Sequence, residues 1–241
     1  MRFLSIVLVA FFVVLTVRSQ EKVEFPSQDG LEITADFYTK ENSSTIVLLF
    51  HQAGWSRGEY GEIAPKLNTM GYSCLAVDLR SGGEVNGVKN ETHKRAASKG
   101  KPTEYKDALQ DIEAAVNYVK STYRPEKIIL WGSSYSSALV LKYGGDHPDA
   151  MNAILSFAPG EYFGSKNYIS ESAKHIEVPV FITSAKNEHK NWKAIYEAIP
   201  IATKKYYLPE TKGNHGSRAL WEQFDDSSGY WDAVTDFLNT V

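Results

Sequence analysis

Apolar runs and amphipathic stretches alternate along most of the chain, and the repeat changes from one to the next. Strand-like apolar runs occupy residues 44–50, 72–77, 127–131 and 178–183, and a tyrosine-containing run follows at 204–209. Between them the spacing predicts helices over 59–68, 103–123, 135–143, 192–198 and 217–238. In the 103–123 segment Ala108, Ile112, Ala115, Val116 and Val119 form one stripe, with Lys106, Asp107, Asp111 and Lys120 off it and Thr103 as the cap. Strand runs alternating with helical ones predict a mostly parallel, twisted sheet with helices on both faces. A hairpin is expected ahead of that sheet. Residues 22–26 and 31–38 flank Ser27-Gln28-Asp29-Gly30, and Asp-Gly is a strong turn signal. No repeat or second domain boundary interrupts the pattern, so 20–241 reads as a single domain.

Residues 80–102 break the alternation. Their first part, Ser81-Gly82-Gly83-Glu84-Val85-Asn86-Gly87, begins a polar, glycine-rich stretch longer than compact domains usually leave without structure. It follows the strand end at Val77-Asp78, where loops border the ligand crevice of open α/β sheets. With Trp55, Tyr162 and Phe163 it is expected to wall a substrate pocket.

The first nineteen residues change the setting of the protein. Met1-Arg2, an apolar run over 3–17, and Arg18-Ser19-Gln20 read as a secretory signal peptide cleaved after Ser19. The run is shorter than the ~20 residues a spanning helix needs, so no stable membrane insertion is expected after cleavage. A secreted or periplasmic location follows. Cys74 is the single cysteine, which excludes an intrachain disulfide. A net charge of -3 offers neither a broad basic field for nucleic acid nor a polybasic membrane patch. Histidines at 51, 93, 147, 175, 189 and 215 form no metal-binding motif, and no phosphate-cradling glycine loop follows a strand. Neither metal nor cofactor is implied.

The chemistry is carried by Lys127-Ile-Ile-Leu-Trp131-Gly132-Ser133-Ser134-Tyr135-Ser136-Ser137. An apolar strand ends there in a small-residue turn and passes directly into a helix. Such a nucleophile elbow holds a serine hydroxyl clear of the sheet, and the spacing from Gly132 selects Ser134. Ser136 stands where the motif usually has its second glycine. A seryl oxygen needs a base to take its proton, and His215, in Lys212-Gly213-Asn214-His215-Gly216 after the last strand run, has the order and context for it. The acid that would orient the imidazole has three candidates. Asn187 occupies the usual position but lacks charge, Glu188 follows it, and Glu161 lies after the preceding strand. Glu188 is the choice carried forward. Backbone donors for a developing oxyanion are expected from Ala53, in His51-Gln52-Ala53-Gly54-Trp55, and from Tyr135. His51 is expected to brace its loop. Gln52, Trp55 and Tyr162 are expected to contact substrate.

With these segments in this order, the chain resembles the α/β-hydrolase family, and within it small dienelactone-hydrolase-like enzymes without a large lid. The resemblance extends from about Lys22 to Val241. It implies an α/β-hydrolase fold, with the nucleophile at Ser134, the base at His215 and the oxyanion donors at Ala53 and Tyr135. Dienelactone hydrolases proper carry a cysteine nucleophile, and this elbow carries serine. The resemblance implies a serine hydrolase acting on a carboxylic ester or related small-molecule acyl compound. A thioesterase or peptidase would use the same atoms, and a binding protein that kept the scaffold without the acid is the competing class.

Overall fold

The computed structural model describes residues 20–241, so the signal segment expected at 1–19 lies outside the described residues. The strands are β1 (Gln20–Pro26), β2 (Glu32–Tyr38), β3 (Thr45–Phe50), β4 (Ser73–Val77), β5 (Glu84–Val85) and β6 (Val88–Lys89), followed by β7 (Lys127–Ser133), β8 (Ala153–Phe157), β9 (Val180–Thr183) and β10 (Lys205–Tyr207). Eight of them form one sheet in the order β1-β2-β4-β3-β7-β8-β9-β10. The β1–β2 hairpin is antiparallel and β2 joins β4 antiparallel, whereas every pairing from β4 to β10 is parallel.

The continuous apolar runs are explained by burial on both faces. On β3, Ile46, Leu48 and Phe50 enter one core, while Val47 and Leu49 enter the other, as a strand's two-residue repeat requires. The helices are α1 (Ile63–Thr69), α2 (Glu91–Ser98), α3 (Leu109–Thr122), α4 (Tyr135–Asp146), α5 (Tyr168–Ala173), α6 (His189–Ala198) and α7 (Ser227–Leu238). Ile112 and Val116 of α3, Leu139 of α4, Ile169 of α5 and Trp192 of α6 fill the first core. Leu67 of α1 and Trp231 and Phe237 of α7 fill the second.

Helix boundaries depart from the periodicity for local reasons. The expected 103–123 helix opens as a 3₁₀ turn over Tyr105–Ala108, and the capping contact is made by Glu104, whose N–H donates to Asp107 at 2.9 Å, rather than by Thr103. The expected 217–238 helix is two pieces. Trp221 leaves the helical region at ψ 140°, its indole N–H donating to the Glu59 carbonyl at 2.9 Å and its ring stacking on Trp55. Helix α5 carried no periodic signal. Its first turn is capped from a distance by Glu161, which accepts the N–H groups of Ile169 and Ser170 at 2.7 and 2.9 Å.

The 80–102 stretch is not a loose loop. It folds as the β5–β6 hairpin followed by α2 and is anchored by buried ion pairs. Arg57 meets Asp36, Asp78 and Glu91 at 2.9, 2.6 and 3.1 Å. The Arg80 side chain, fully buried, joins Asp111 of α3 at 2.8 Å and Asp29 of the β1–β2 turn at 3.0 Å. Removing one member of such a pair strands a buried charge. Arg80→Met is expected to lower the unfolding free energy by about 3–5 kcal/mol in urea titrations. Arg80→Met with Asp111→Leu is expected to recover part of that loss.

Candidate active site

Strand β7 delivers Ser134 to the carboxyl end of the sheet. The turn is tight because a Cβ on Gly132 would lie 2.5 Å from both the Ser136 carbonyl oxygen and the Ser137 Cα. Ser134 takes φ 58° and ψ -120°, a strained conformation for a residue other than glycine. Its N–H donates to the Phe157 carbonyl at 2.8 Å. Gly132, Ser133, Tyr135 and Ser136 are buried, whereas Ser134 keeps partial exposure. Ser136 does work that the usual glycine could not. Its hydroxyl accepts the Ser133 N–H at 2.9 Å and donates to the Phe50 carbonyl at 2.7 Å, stitching β3 to the turn.

The His215 loop lies against this turn. Gly216 has φ +72°, and a Cβ there would come 2.5 Å from the Ser133 hydroxyl. The Ser217 N–H donates to that hydroxyl at 2.8 Å, and the Trp131 indole N–H donates to the Ser217 hydroxyl at 2.9 Å. His215 Nδ1 lies 2.6 Å from Glu188 Oε1. Glu188 also accepts the Ala185 N–H at 3.1 Å, so its carboxylate is held by the turn that carries it. Asn187 is exposed, and Glu161 is committed to the start of α5. Of the three candidate acids, Glu188 is the one that meets the ring. Among the described residues, Ser134 Oγ and His215 Nε2 have no hydrogen-bond partner, and they are not bonded to each other. Catalytic contacts of this kind are often long before substrate binds.

The loop after β3 supplies the other wall. His51 is fully buried. Its Nε2 accepts the Leu79 N–H at 3.0 Å, which leaves the proton on Nδ1 to be donated to the Gln52 carbonyl at 2.8 Å. Burial pushes the ring pKa down to about 4 despite these bonds. The Asn90 amide at 3.1 Å from His51 Nε2 also donates to the carbonyls of Trp55 and Leu79. The 80–102 segment therefore buttresses this loop. The Gln52 N–H is taken by Glu59 at 2.8 Å, while Ala53 is partly exposed. Tyr135 is the first residue of α4, where a helix leaves its N–H unpaired. The Gln52 side chain is buried, and its amide nitrogen has no partner among the described residues.

Aromatic groups frame the approach. The Tyr105 ring lies 4.8 Å from that of Tyr135, and the exposed Tyr162 donates its hydroxyl to the Ala158 carbonyl at 2.8 Å. Between Tyr105, Tyr162 and Phe163 is an open cavity of about 210 Å³, lined also by Glu104 and Lys106. Trp55 is stacked on Trp221 at 5.4 Å, so its ring is a fixed wall. The sequence pattern did not single out Glu59, Ser133, Ser217 or Asn90. They lie in segments whose polar residues look like ordinary turn composition, and only the folded contacts distinguish them.

The parallel sheet, the strained serine turn after β7 and the late histidine loop define an α/β-hydrolase. The chain belongs to the hydrolase family described as serine aminopeptidase S33, whose sequence model matches residues 41–166. No curated protein matches it in sequence. Among solved structures, an esterase of Pyrococcus furiosus superposes with a TM-score of 0.71 at 18% identity, covering 92% of this chain and 92% of that one. The dienelactone hydrolase of Anabaena variabilis does so with 0.72 at 13%, covering 92% and 99%. Est1E from Butyrivibrio proteoclasticus gives 0.67 at 15%, covering 91% and 98%. At these identities the likeness is one of fold. The expected α/β-hydrolase, dienelactone-hydrolase-like architecture is borne out.

His51 makes a measurable contribution to acid sensitivity. The unfolded chain takes up its imidazole proton near the ordinary value of 6.5, but the folded chain resists until about 4, so stability falls as pH drops through that window. His51→Gln lacks this linkage. The stability difference between wild type and variant is expected to narrow by about 2 kcal/mol between pH 7 and pH 5 in urea titrations.

Proposed function

We propose that this protein is a serine hydrolase that cleaves a carboxylic ester or related acyl compound through an acyl-enzyme on Ser134. The observation that carries the reading is the 2.6 Å contact of Glu188 with His215, on a loop packed against the strained turn that exposes Ser134. In this mechanism Ser134 Oγ attacks the carbonyl carbon while His215 Nε2 takes its proton. The oxygen of the tetrahedral intermediate becomes an anion, received by the N–H groups of Ala53 and Tyr135. Collapse breaks the bond to the leaving group, which receives the proton from His215. Water, activated by the same ring, then attacks the acyl-enzyme and restores the serine. Glu188 keeps Nδ1 protonated and opposes the charge of the imidazolium.

The slot between Tyr105 and Tyr162 suits a flat aromatic acyl group carrying polar substituents, since Glu104 and Lys106 line it beside the rings. It is tied to the turn through the Tyr135 ring on one side and Ala158 on the other. Ferulic acid, bound to Est1E in a solved structure, is a group of that shape. The competing reading as a binding protein without the acid drew on Asn187, and the Glu188 contact weighs against it. Thioester and amide substrates would be processed by the same atoms and are distinguished by a substrate panel.

A fluorophosphonate probe is expected to label the wild-type protein and not Ser134→Ala; absence of labelling in folded wild type would refute the reading. Glu188→Gln is expected to lower kcat by about 10²–10⁴, whereas Glu161→Gln keeps activity near wild type. Export as a secreted or periplasmic protein belongs to the same proposal, and N-terminal sequencing of the mature protein is expected to begin at Gln20.

A further inference from the structure

Glu59 takes no part in the acyl transfer, yet it bonds to the oxyanion loop and the nucleophile turn, and through Ser133 it is linked to the histidine loop. It is fully buried in the 3₁₀ turn Arg57–Tyr60. One carboxylate oxygen accepts the Gln52 N–H at 2.8 Å, fixing the residue before the oxyanion donor Ala53. The other accepts the Ser133 hydroxyl at 2.7 Å, fixing the residue before Ser134. Because the Ser217 N–H donates to the same Ser133 oxygen at 2.8 Å, the hydroxyl proton is committed to Glu59. The chain of bonds thus reaches the histidine loop. The Glu59 carbonyl accepts the Trp221 indole N–H at 2.9 Å, a fourth anchor.

Both carboxylate oxygens act as acceptors, so the bonding matches the ionised form. Among the described residues, Glu59 forms no ion pair with a lysine or arginine. The titratable and charged groups facing it are His215, Arg218, Tyr60 and Tyr135. The two tyrosines are neutral, which leaves Arg218 and His215 as positive partners. Only His215 gains and loses a proton in the reaction.

We propose that Glu59 is a positioning residue of this hydrolase: its buried carboxylate locks the oxyanion loop, the nucleophile turn and the histidine loop in register, and it stabilises the His215 imidazolium from the interior. The inference rests on the Ser134–His215 reading. Its physical basis is differential. Burial opposes the lone charge and pushes the Glu59 carboxyl up to about 7, while the Ser133 and Gln52 bonds, His215 and Arg218 act against that rise. When the ring takes the Ser134 proton, a new cation appears within the field of the buried anion, and the interaction is more favourable in the transition state than before attack. Glu188 meets the ring directly at Nδ1, whereas Glu59 is linked to the histidine loop through Ser133 and Ser217.

Glu59→Gln keeps the shape and an acceptor for the Gln52 N–H but removes the charge. It is expected to lower kcat about tenfold with little change in KM, and to move the acid limb of kcat/KM to lower pH by a few tenths to one unit, because the ring loses a negative neighbour. Ser133→Ala, which cuts the bond and keeps the charge, is expected to reduce stability and labelling rate with the limb unmoved. Glu59→Gln with a wild-type pH profile and kcat would overturn the proposal, as would a loss of stability alone. Should that variant fail to fold, fluorophosphonate labelling of folded Ser133→Ala decides: slowed labelling supports the proposal, and a wild-type rate overturns it. Fluorophosphonate labelling of the wild type separates the two levels: no labelling removes the parent reading, whereas labelling with an unmoved profile removes only the role of Glu59.

Discussion

The site depends on one close approach between a strand and the helix that follows it. Helix α4 starts so near the end of β7 that position 132 has no room for a side chain. With glycine there, the backbone reverses within a single residue, and that residue, Ser134, is driven to positive φ. A conformation of this kind costs about 1–3 kcal/mol and persists only where the surroundings over-determine it. Here they do. The Ser134 N–H is held by Phe157, the Ser136 hydroxyl bridges the turn to Phe50, and the Ser137 hydroxyl donates to the Ser134 carbonyl. The same reversal leaves Ser134 partly exposed immediately before the first, unpaired N–H of α4.

Around that turn the protein keeps a buried polar layer where an ordinary core would be apolar. Ser133, Ser136, Ser217, Glu59 and His51 are all inaccessible, and each makes the hydrogen bonds described for it. A satisfied network of this kind is rigid because every displacement leaves a buried group without a partner. The outer segments support it. Asn90 reaches into the His51 loop from the start of α2, and a Cβ on Gly82 would collide with that same amide and with the Trp55 carbonyl. Arg80 and Arg57 fasten the segment to the sheet. The glycines of 80–102, whose abundance suggests freedom, have specific places instead: Gly82 and Gly83 lie where the backbone packs closely, and Gly87 and Gly100 take the positive φ of turns.

The fold was legible because strands buried on two faces advertise themselves as unbroken apolar runs, and β3, β4 and β7 do so. The Ser134 turn and the His215 loop packed against it were legible as segments because chain order and small-residue turns constrain where such loops can sit. The rest depended on distances that no local pattern encodes. Glu161 caps a helix eight residues away, so α5 has no cap in its own sequence. Trp221 interrupts a helical pattern because its indole is claimed by Glu59, 162 residues earlier. Glu59 itself lies at the start of a stretch whose spacing predicts a helix over 59–68, and its burial follows from contacts with Gln52, Ser133 and Trp221 that the spacing does not encode.

The position of the acid shows why counting along a loop is a weak guide to it. Residue 187 points to solvent, and the 3₁₀ turn over Lys186–Glu188 carries the next side chain toward the ring instead. Glutamate has one more methylene than aspartate and can span the added distance while its second oxygen stays on the Ala185 N–H. That carboxylate is about one-fifth exposed, so its charge is partly screened by solvent. The buried carboxylate beneath has the opposite character: its field is less screened, and its ionisation is opposed by desolvation. The two carboxylates thus differ in screening and in the cost of ionisation because one lies at the half-open rim of the site and the other inside the buried polar layer.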